Sequence, residues 1–254
     1  MDNYYKSVEE FMDNAGYLID GTWYPRVTKI VSIKSKPALY RFYSTVGYNR
    51  AREISSKSAE EGTIVHESVE KLLKGEKVGD VPYSVAASIF AFIDFYRKNE
   101  IKFHNEHIER RIFCKENRYA GTIDAVATIG GKTGILDIKT SESIYRDYNI
   151  QTAAYLHALK KEIPELETRW ILRIDQNQKC DVCGAYRRTK GGREKIKKNG
   201  SPLCVSYNHQ WAEPKGVVQL KEIEDDYQED MEGFLGAKKL WEWENRDWLR
   251  KAGY

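Results

Sequence analysis

The stretch from Tyr119 to Lys139, Y-A-G-T-I-D-A-V-A-T-I-G-G-K-T-G-I-L-D-I-K, constrains the fold more than any other part of the chain. Ile123 to Ile129 and Ile135 to Ile138 are short, mostly apolar and rich in β-branched residues, and Gly130-Gly131 and Gly134 punctuate them. That pattern predicts two strands joined by a tight turn. Two acids interrupt the hairpin, Asp124 in the first predicted strand and Asp137 in the second, and Lys139 follows two residues after Asp137. Side chains at i and i+2 leave a strand on the same face, so Asp137 and Lys139 point together while Leu136 and Ile138 point into a core. Charges on apolar strands are costly unless they have partners or a task.

A task that needs these residue types is metal-assisted cleavage of a phosphodiester. Two carboxylates hold a hard divalent cation such as Mg²⁺ or Mn²⁺, which polarises a phosphoryl oxygen and lowers the pKa of bound water. A nearby lysine orients that water or offsets developing charge. Asp124, Asp137 and Lys139 supply one residue for each role.

Two helical patterns flank the hairpin. Ser58 to Lys74 carries an apolar stripe of Val65, Val69 and Leu72 and ends at Gly75, with His66 beside the stripe. A histidine there is either a core-edge imidazole bonded to a carbonyl or a metal ligand. A helix starting near Tyr148 places Gln151 and Tyr155, at i and i+4, on one face. That face contacts substrate, or helps to hold the lysine and the metal ligands, or packs Tyr155 beside Leu156 and Leu159 in a core.

The pattern G-x-x-D at Gly121 to Asp124, followed by D-x-K at Asp137 to Lys139, resembles the PD-(D/E)XK nuclease superfamily. G-T-I-V-H-E at Gly62 to Glu67 resembles the helical G-x-x-x-H motif of its RecB-like exonuclease branch, which is related to CRISPR adaptation nucleases, and Q-T-A-A-Y at Gln151 to Tyr155 resembles that branch's Q-x-x-x-Y. The four motifs occur in the family's order. The resemblance implies an α/β fold with a restriction-endonuclease-like core, a central mixed sheet flanked by helices. It implies His66, Asp124, Asp137 and the Ile138 carbonyl as ligands of Mg²⁺ or Mn²⁺, Lys139 on the attacking water, and Gln151 and Tyr155 as supports for the substrate. It also singles out Glu109, which stands where related nucleases often carry an acid near the metal; otherwise Glu109 pairs with Arg110 or Arg111 on the surface.

Elsewhere Asp20-Gly21 predicts a turn, and Leu39, Phe42 and Tyr43 have helical spacing in a segment expected to pack over the sheet. Pro82 to Asn99 predicts a buried helix with Asp94 facing solvent, and Asn105 to Cys114 the strand before the hairpin. Thr168 to Asp175 and Val217 to Ile223 alternate as strands, and Asp226 to Arg250 predicts a terminal helix whose aromatics belong to a core. The expected organisation is one nuclease domain over 1–254: a cover segment at 1–57, core segments at 58–175 and 216–254, and a polar insert at 176–215.

The insert contains Cys180 and Cys183 in a C-x-x-C knuckle and closes with Cys204 and His209. Three thiolates and one imidazole match a structural Zn²⁺ site, a zinc-ribbon-like staple for a segment with little apolar material. A reduced, metal-free hairpin is one alternative. An iron-sulfur cluster using Cys114 is another, ranked below zinc because Cys114 precedes Gly121 inside the core, unlike the family layout. The middle of the insert holds Arg187, Arg188, Lys190, Arg193, Lys195, Lys197 and Lys198 against the single acid Glu194. This patch is read as a projecting finger that grips the phosphate backbone, or as a solvated loop.

Net charge is only +3, from 41 basic and 38 acidic residues, so the basic patch rather than the total points to nucleic acid. No apolar run approaches the roughly 20 residues that span a bilayer, and the N-terminus lacks a signal peptide's apolar stretch, so a cytoplasmic, membrane-free protein is expected. The expected activity is metal-dependent hydrolysis of single- or double-stranded DNA, as an exonuclease in repair, recombination or the processing of mobile-element or viral DNA. The rival class is a catalytically idle nucleic-acid-binding zinc module or scaffold.

Overall fold

The computed structural model describes residues 5–197, 208–224 and 226–254. In chain order the elements are α1 (Val8–Ala15), β1 (Gly16–Ile19), β2 (Thr22–Pro25), α2 (Val27–Val31), α3 (Pro37–Val46), α4 (Tyr48–Leu73), α5 (Tyr83–Lys98), β3 (Ile101–Phe103), β4 (Arg110–Cys114), β5 (Tyr119–Ile123), β6 (Ala125–Ile129) and β7 (Lys132–Lys139). They continue with α6 (Asp147–Leu159), β8 (Leu166–Lys179), β9 (Tyr186–Arg187), β10 (Ile196–Lys197), β11 (Lys215–Glu222), α7 (Tyr227–Glu244) and α8 (Arg246–Lys251), and short 3₁₀ turns at Asn105–His107 and Lys190–Gly192.

A mixed central sheet runs β10-β9-β8-β7-β6-β3, and β11 also pairs with β8. Its one parallel pairing is β7 with β8; the others are antiparallel. Strand alternation sends the two sets of side chains into two cores. Val126 and Ile135 pack with α1, α2, α6 and α7, through Phe11, Ile30, Leu156 and Phe234. Ala125, Ala127, Leu136 and Ile138 pack with α4 and α5, through Val65, Val69, Ile89 and Phe92. The sheet is thus flanked by helices on both faces. Among the described residues no helix is long and apolar enough to cross a membrane.

The predicted hairpin forms as β6 and β7, but its first strand is shorter than expected. The chain bends at Asp124, and β5 belongs to a separate two-stranded sheet with β4. Asp124 therefore sits at a junction between sheets rather than within a strand. The strand expected over Asn105 to Cys114 is shorter: Asn105–His107 is a 3₁₀ turn, and only Arg110–Cys114 forms β4, which pairs with β5.

The helix around His66 begins at Tyr48, ten residues before the expected start, so it crosses the boundary assigned to the cover segment. Leu73, not Leu72, completes its buried stripe. The Asp20-Gly21 turn joins β1 to β2 and Asp94 is exposed, but α5 buries only one face, through Val85, Ser88, Ile89 and Phe92, and leaves Tyr83 and Phe90 exposed. The segment before α4 is more than a cover. Helices α1 and α2 enter the core, whereas α3 buries none of its residues. The terminal helix is two helices broken at Asn245; Phe234 and Trp241 are core, but Leu240 and Trp243 are exposed.

Candidate active site

The site forms where α4 crosses one end of the β6–β7 pair. His66 lies 3.2 Å, through Nε2, from Asp124 Oδ2 and 3.5 Å, through Nδ1, from Glu109 Oε1. These three residues converge closely enough to hold one metal ion. The bend explains how. Glu109 N–H donates to Asp124 O at 3.0 Å, and the Ile138 N–H donates to Asp124 Oδ2 at 2.5 Å, which fixes the junction against β7. Glu109 itself adopts φ +51°, an unusual conformation for a side-chain-bearing residue.

Asp137 is buried on the α6 side of β7, as the i, i+2 spacing requires. Lys139 Nζ stands 2.7 Å from Asp137 Oδ2, and Gln151 Nε2 donates to Asp137 Oδ1 at 3.1 Å. Gln151 also donates to the Tyr155 hydroxyl at 3.1 Å. Both residues are buried: Gln151 holds the Asp137 carboxylate, and Tyr155 also packs in the core with Leu156 and Leu159, so two of the uses foreseen for this face are seen. Gly121 makes room for the arrangement. A Cβ there would lie 2.5 Å from a Tyr155 ring carbon. Tyr148, which sequence reasoning did not single out, presents its ring 4.9 Å from Lys139 Nζ. Its signal was its place one turn before Gln151.

Burial and mutual repulsion divide the protons unevenly. Burial, together with the charge of Asp124, raises Asp137 to about 6 against the pull of Lys139. Burial and then Asp124 raise Glu109 to about 7. Burial would lower His66, but Asp124, Glu109 and Asp137 together lift it to about 9. Asp124 moves the other way: despite burial, His66 and Lys139 hold its carboxyl below the usual range. Burial also disfavours the Lys139 ammonium, yet Asp137 and Asp124 raise it.

This donor set suits a hard divalent cation. Carboxylates from Asp124 and Glu109 and an imidazole from His66 converge, whereas Asp137 is taken up by Lys139 and Gln151 and is not one of these three. A cleft of about 480 Å³, lined by Ser58, Gly62, His66, Glu109, Ile138 and Lys139, opens beside them. A cavity of similar size, about 450 Å³, lies elsewhere, against Tyr227 and the Lys132–Glu222 ion pair.

Among the described residues, the insert does not project. It folds back so that the Lys190–Gly192 turn packs on α4, where Gly191 N–H donates to the buried Glu61 Oε2 at 2.8 Å. The basic run is correspondingly engaged. Arg187 lies over the Trp211 ring at 4.5 Å, Arg188 grips Asp175 through Nε at 2.9 and 2.7 Å, Arg193 pairs with Glu142 at 3.3 Å, and Lys197 also pairs with Glu142. Lys190 donates to Thr140, and Lys195 is exposed. Burial and the neighbouring Arg188 pull the Lys190 ammonium down to about 8.

Cys180, Cys183 and His209 come together as a second possible metal group, with Cys183 Sγ 3.4 Å from His209 Nδ1. Against burial, the backbone of Cys183, the His209 imidazole and the backbone of Val182 hold the Cys180 thiol down to about 6, which favours the ligating thiolate. Cys204 and Lys198 lie outside the described residues. Cys114 does not join this group; it stands with Glu116 and His157.

No family model matches the chain, and no curated protein does. Over 58% of its length it is similar to the crystal structure of SSO0001, at 20% identity and a TM-score of 0.27, and the match spans 60% of that chain.

Proposed function

We propose that this chain is a divalent-metal-dependent deoxyribonuclease with a restriction-endonuclease-like core, acting inside the cell on single- or double-stranded DNA in the manner of RecB-like exonucleases. The observation that carries the reading is convergence. His66, Glu109, Asp124, Asp137 and Lys139 come from α4, the β4 approach, the sheet junction and β7, yet gather at one end of one strand pair beside an open cleft. Structural ion pairs do not need three acids, one of them buried, a histidine and a lysine together.

In this reading Asp124 and His66 hold Mg²⁺ or Mn²⁺ with Asp137 and the Ile138 carbonyl, and Glu109 joins them. The bound cation would polarise the phosphoryl oxygen and acidify water. Lys139 orients the attacking water and balances charge on the departing oxygens. Gln151 and Tyr155 fix the Asp137 carboxylate from behind. Cys180, Cys183 and His209, with Cys204, are proposed to hold a structural Zn²⁺ that keeps the insert folded.

The test is cleavage of labelled single- and double-stranded DNA with Mg²⁺ or Mn²⁺ and with EDTA as control. Asp124→Asn and Lys139→Met are each expected to lower the rate by about 100-fold or more while circular dichroism stays unchanged. Wild-type cleavage in either variant refutes the assignment.

A further inference from the structure

Among the engaged cations in the described residues of the insert, Arg187 and Lys190 lack a carboxylate partner, and Arg187 is taken up by the Trp211 ring and by Gln178 Oε1 at 3.0 Å. Arg188, Arg193 and Lys197 are each matched to a carboxylate of the body of the protein. Lys190 Nζ instead donates to Thr140 O at 2.8 Å and Thr140 Oγ1 at 2.7 Å, and no carboxylate of the described residues lies within ion-pair distance of it. An ammonium has three N–H donors, so one is left over.

Its position is built, not incidental. Thr140 follows Lys139 directly, and a Cβ at Gly62, which lines the cleft, would lie 3.2 Å from Lys190 Nζ. The turn carrying it is locked by Gly191, whose φ of +69° favours glycine. A Cβ at Gly191 would lie 2.2 Å from Ser58 Oγ and 2.4 Å from Ile54 O. Asp175 and Glu61 act on this ammonium from a distance but neither touches it, so a rigidly held, part-buried cation beside an open cleft keeps an N–H for an external anion.

We propose that Lys190 is a substrate-binding residue that contacts a backbone phosphate of the nucleic acid in the catalytic cleft, so that the insert forms a working wall of the site. The inference rests on the nuclease reading above and names a contact that the four motifs do not contain. A phosphate oxygen would take the remaining N–H, while Thr140 keeps the ammonium aimed.

The experiment measures binding of a fluorescein-labelled DNA oligonucleotide across a salt series, with Ca²⁺ replacing Mg²⁺ to suppress turnover, alongside steady-state cleavage with Mg²⁺. Lys190→Gln, which keeps a donor but loses the charge, should weaken binding about 10-fold and reduce the salt slope by about one. KM should rise by a similar factor with kcat little changed. Lys190→Arg should recover most of the loss, and Lys239→Gln, an exposed control on α7, should leave slope and KM unchanged. Gly191→Ala, which displaces the turn with Lys190 still present, should mimic Lys190→Gln. Wild-type affinity and slope in Lys190→Gln overturn the proposal, as does Lys190→Arg behaving no better than Lys190→Gln. If the wild-type protein neither binds nor cleaves DNA, the nuclease reading itself falls, an outcome distinct from both.

Discussion

At the scale of the residue, the site's charges are balanced by protons until a cation takes over. His66 lies between Asp124 and Glu109, and their charges hold its imidazolium to about pH 9. Because that value is raised above the ordinary histidine value of about 6.5, the stability it contributes to the metal-free protein is complete below about 6.5 and is lost as pH rises through about 9. An NMR titration of the metal-free protein should show the His66 ring titrating near 9, and Mg²⁺ added at pH 8 should release its proton. A midpoint near 6.5 would place the two carboxylates elsewhere. Asp137, raised to about 6, takes up a proton on acidification, so Mg²⁺ affinity should fall as pH drops through 6. The pairing of Asp137 with Lys139 was legible in sequence because strand periodicity is local. Glu109 was legible only through resemblance, since its approach to His66 depends on a positive φ at the end of an irregular segment.

At the scale of the element, the site depends on helix α6 lying close behind β5 and β7. Gly121 permits this approach, because a Cβ would overlap the ring of Tyr155, whose hydroxyl receives the Gln151 hydrogen bond. Gly121→Ala should cost about 1–3 kcal/mol, seen by calorimetry as a melting temperature several degrees lower, and should reduce kcat more than it raises KM. An unchanged melting temperature would mean that the ring has room to move. Helix α4 was legible from its apolar stripe and α6 from the spacing of Gln151 and Tyr155, while β7, β8 and β11 were legible from β-branched or alternating runs. The break at Asp124 was not, because Ile123 and Ala125 suit a strand equally well on either side. What divides them is pairing: Ile123 pairs with Arg110 and Ala125 with Leu136. Partner choice of that kind is long-range and leaves no mark in local composition.

At the scale of the whole molecule, two cores clamp the sheet, and buried charge ties the later helices to it. Arg169 on β8 meets Asp230 on α7 at 2.9 Å, both buried, and donates to Asn149 O in α6 at 2.9 Å. Asp230→Ala should therefore destabilise by about 3 kcal/mol, lowering the melting temperature by roughly 10 °C, while cleavage per folded molecule stays near wild type. Equal stability in that variant would deny the tie any structural role. The insert was the part least legible in sequence. Its run of cations reads as a surface finger, and two of the acids that draw it inward, Glu61 and Glu142, stand far from it along the chain, while Asp175 sits at its edge. The strand that bears Asp137 and Lys139 is bordered on one side by β6 and on the other by β8, so neither of its edges is free to fray. Its carboxylate and ammonium are thus set in place when the protein folds, and the cost of aligning them is met before any ligand arrives. What an incoming cation has left to reorganise is protons and rotamers, not backbone.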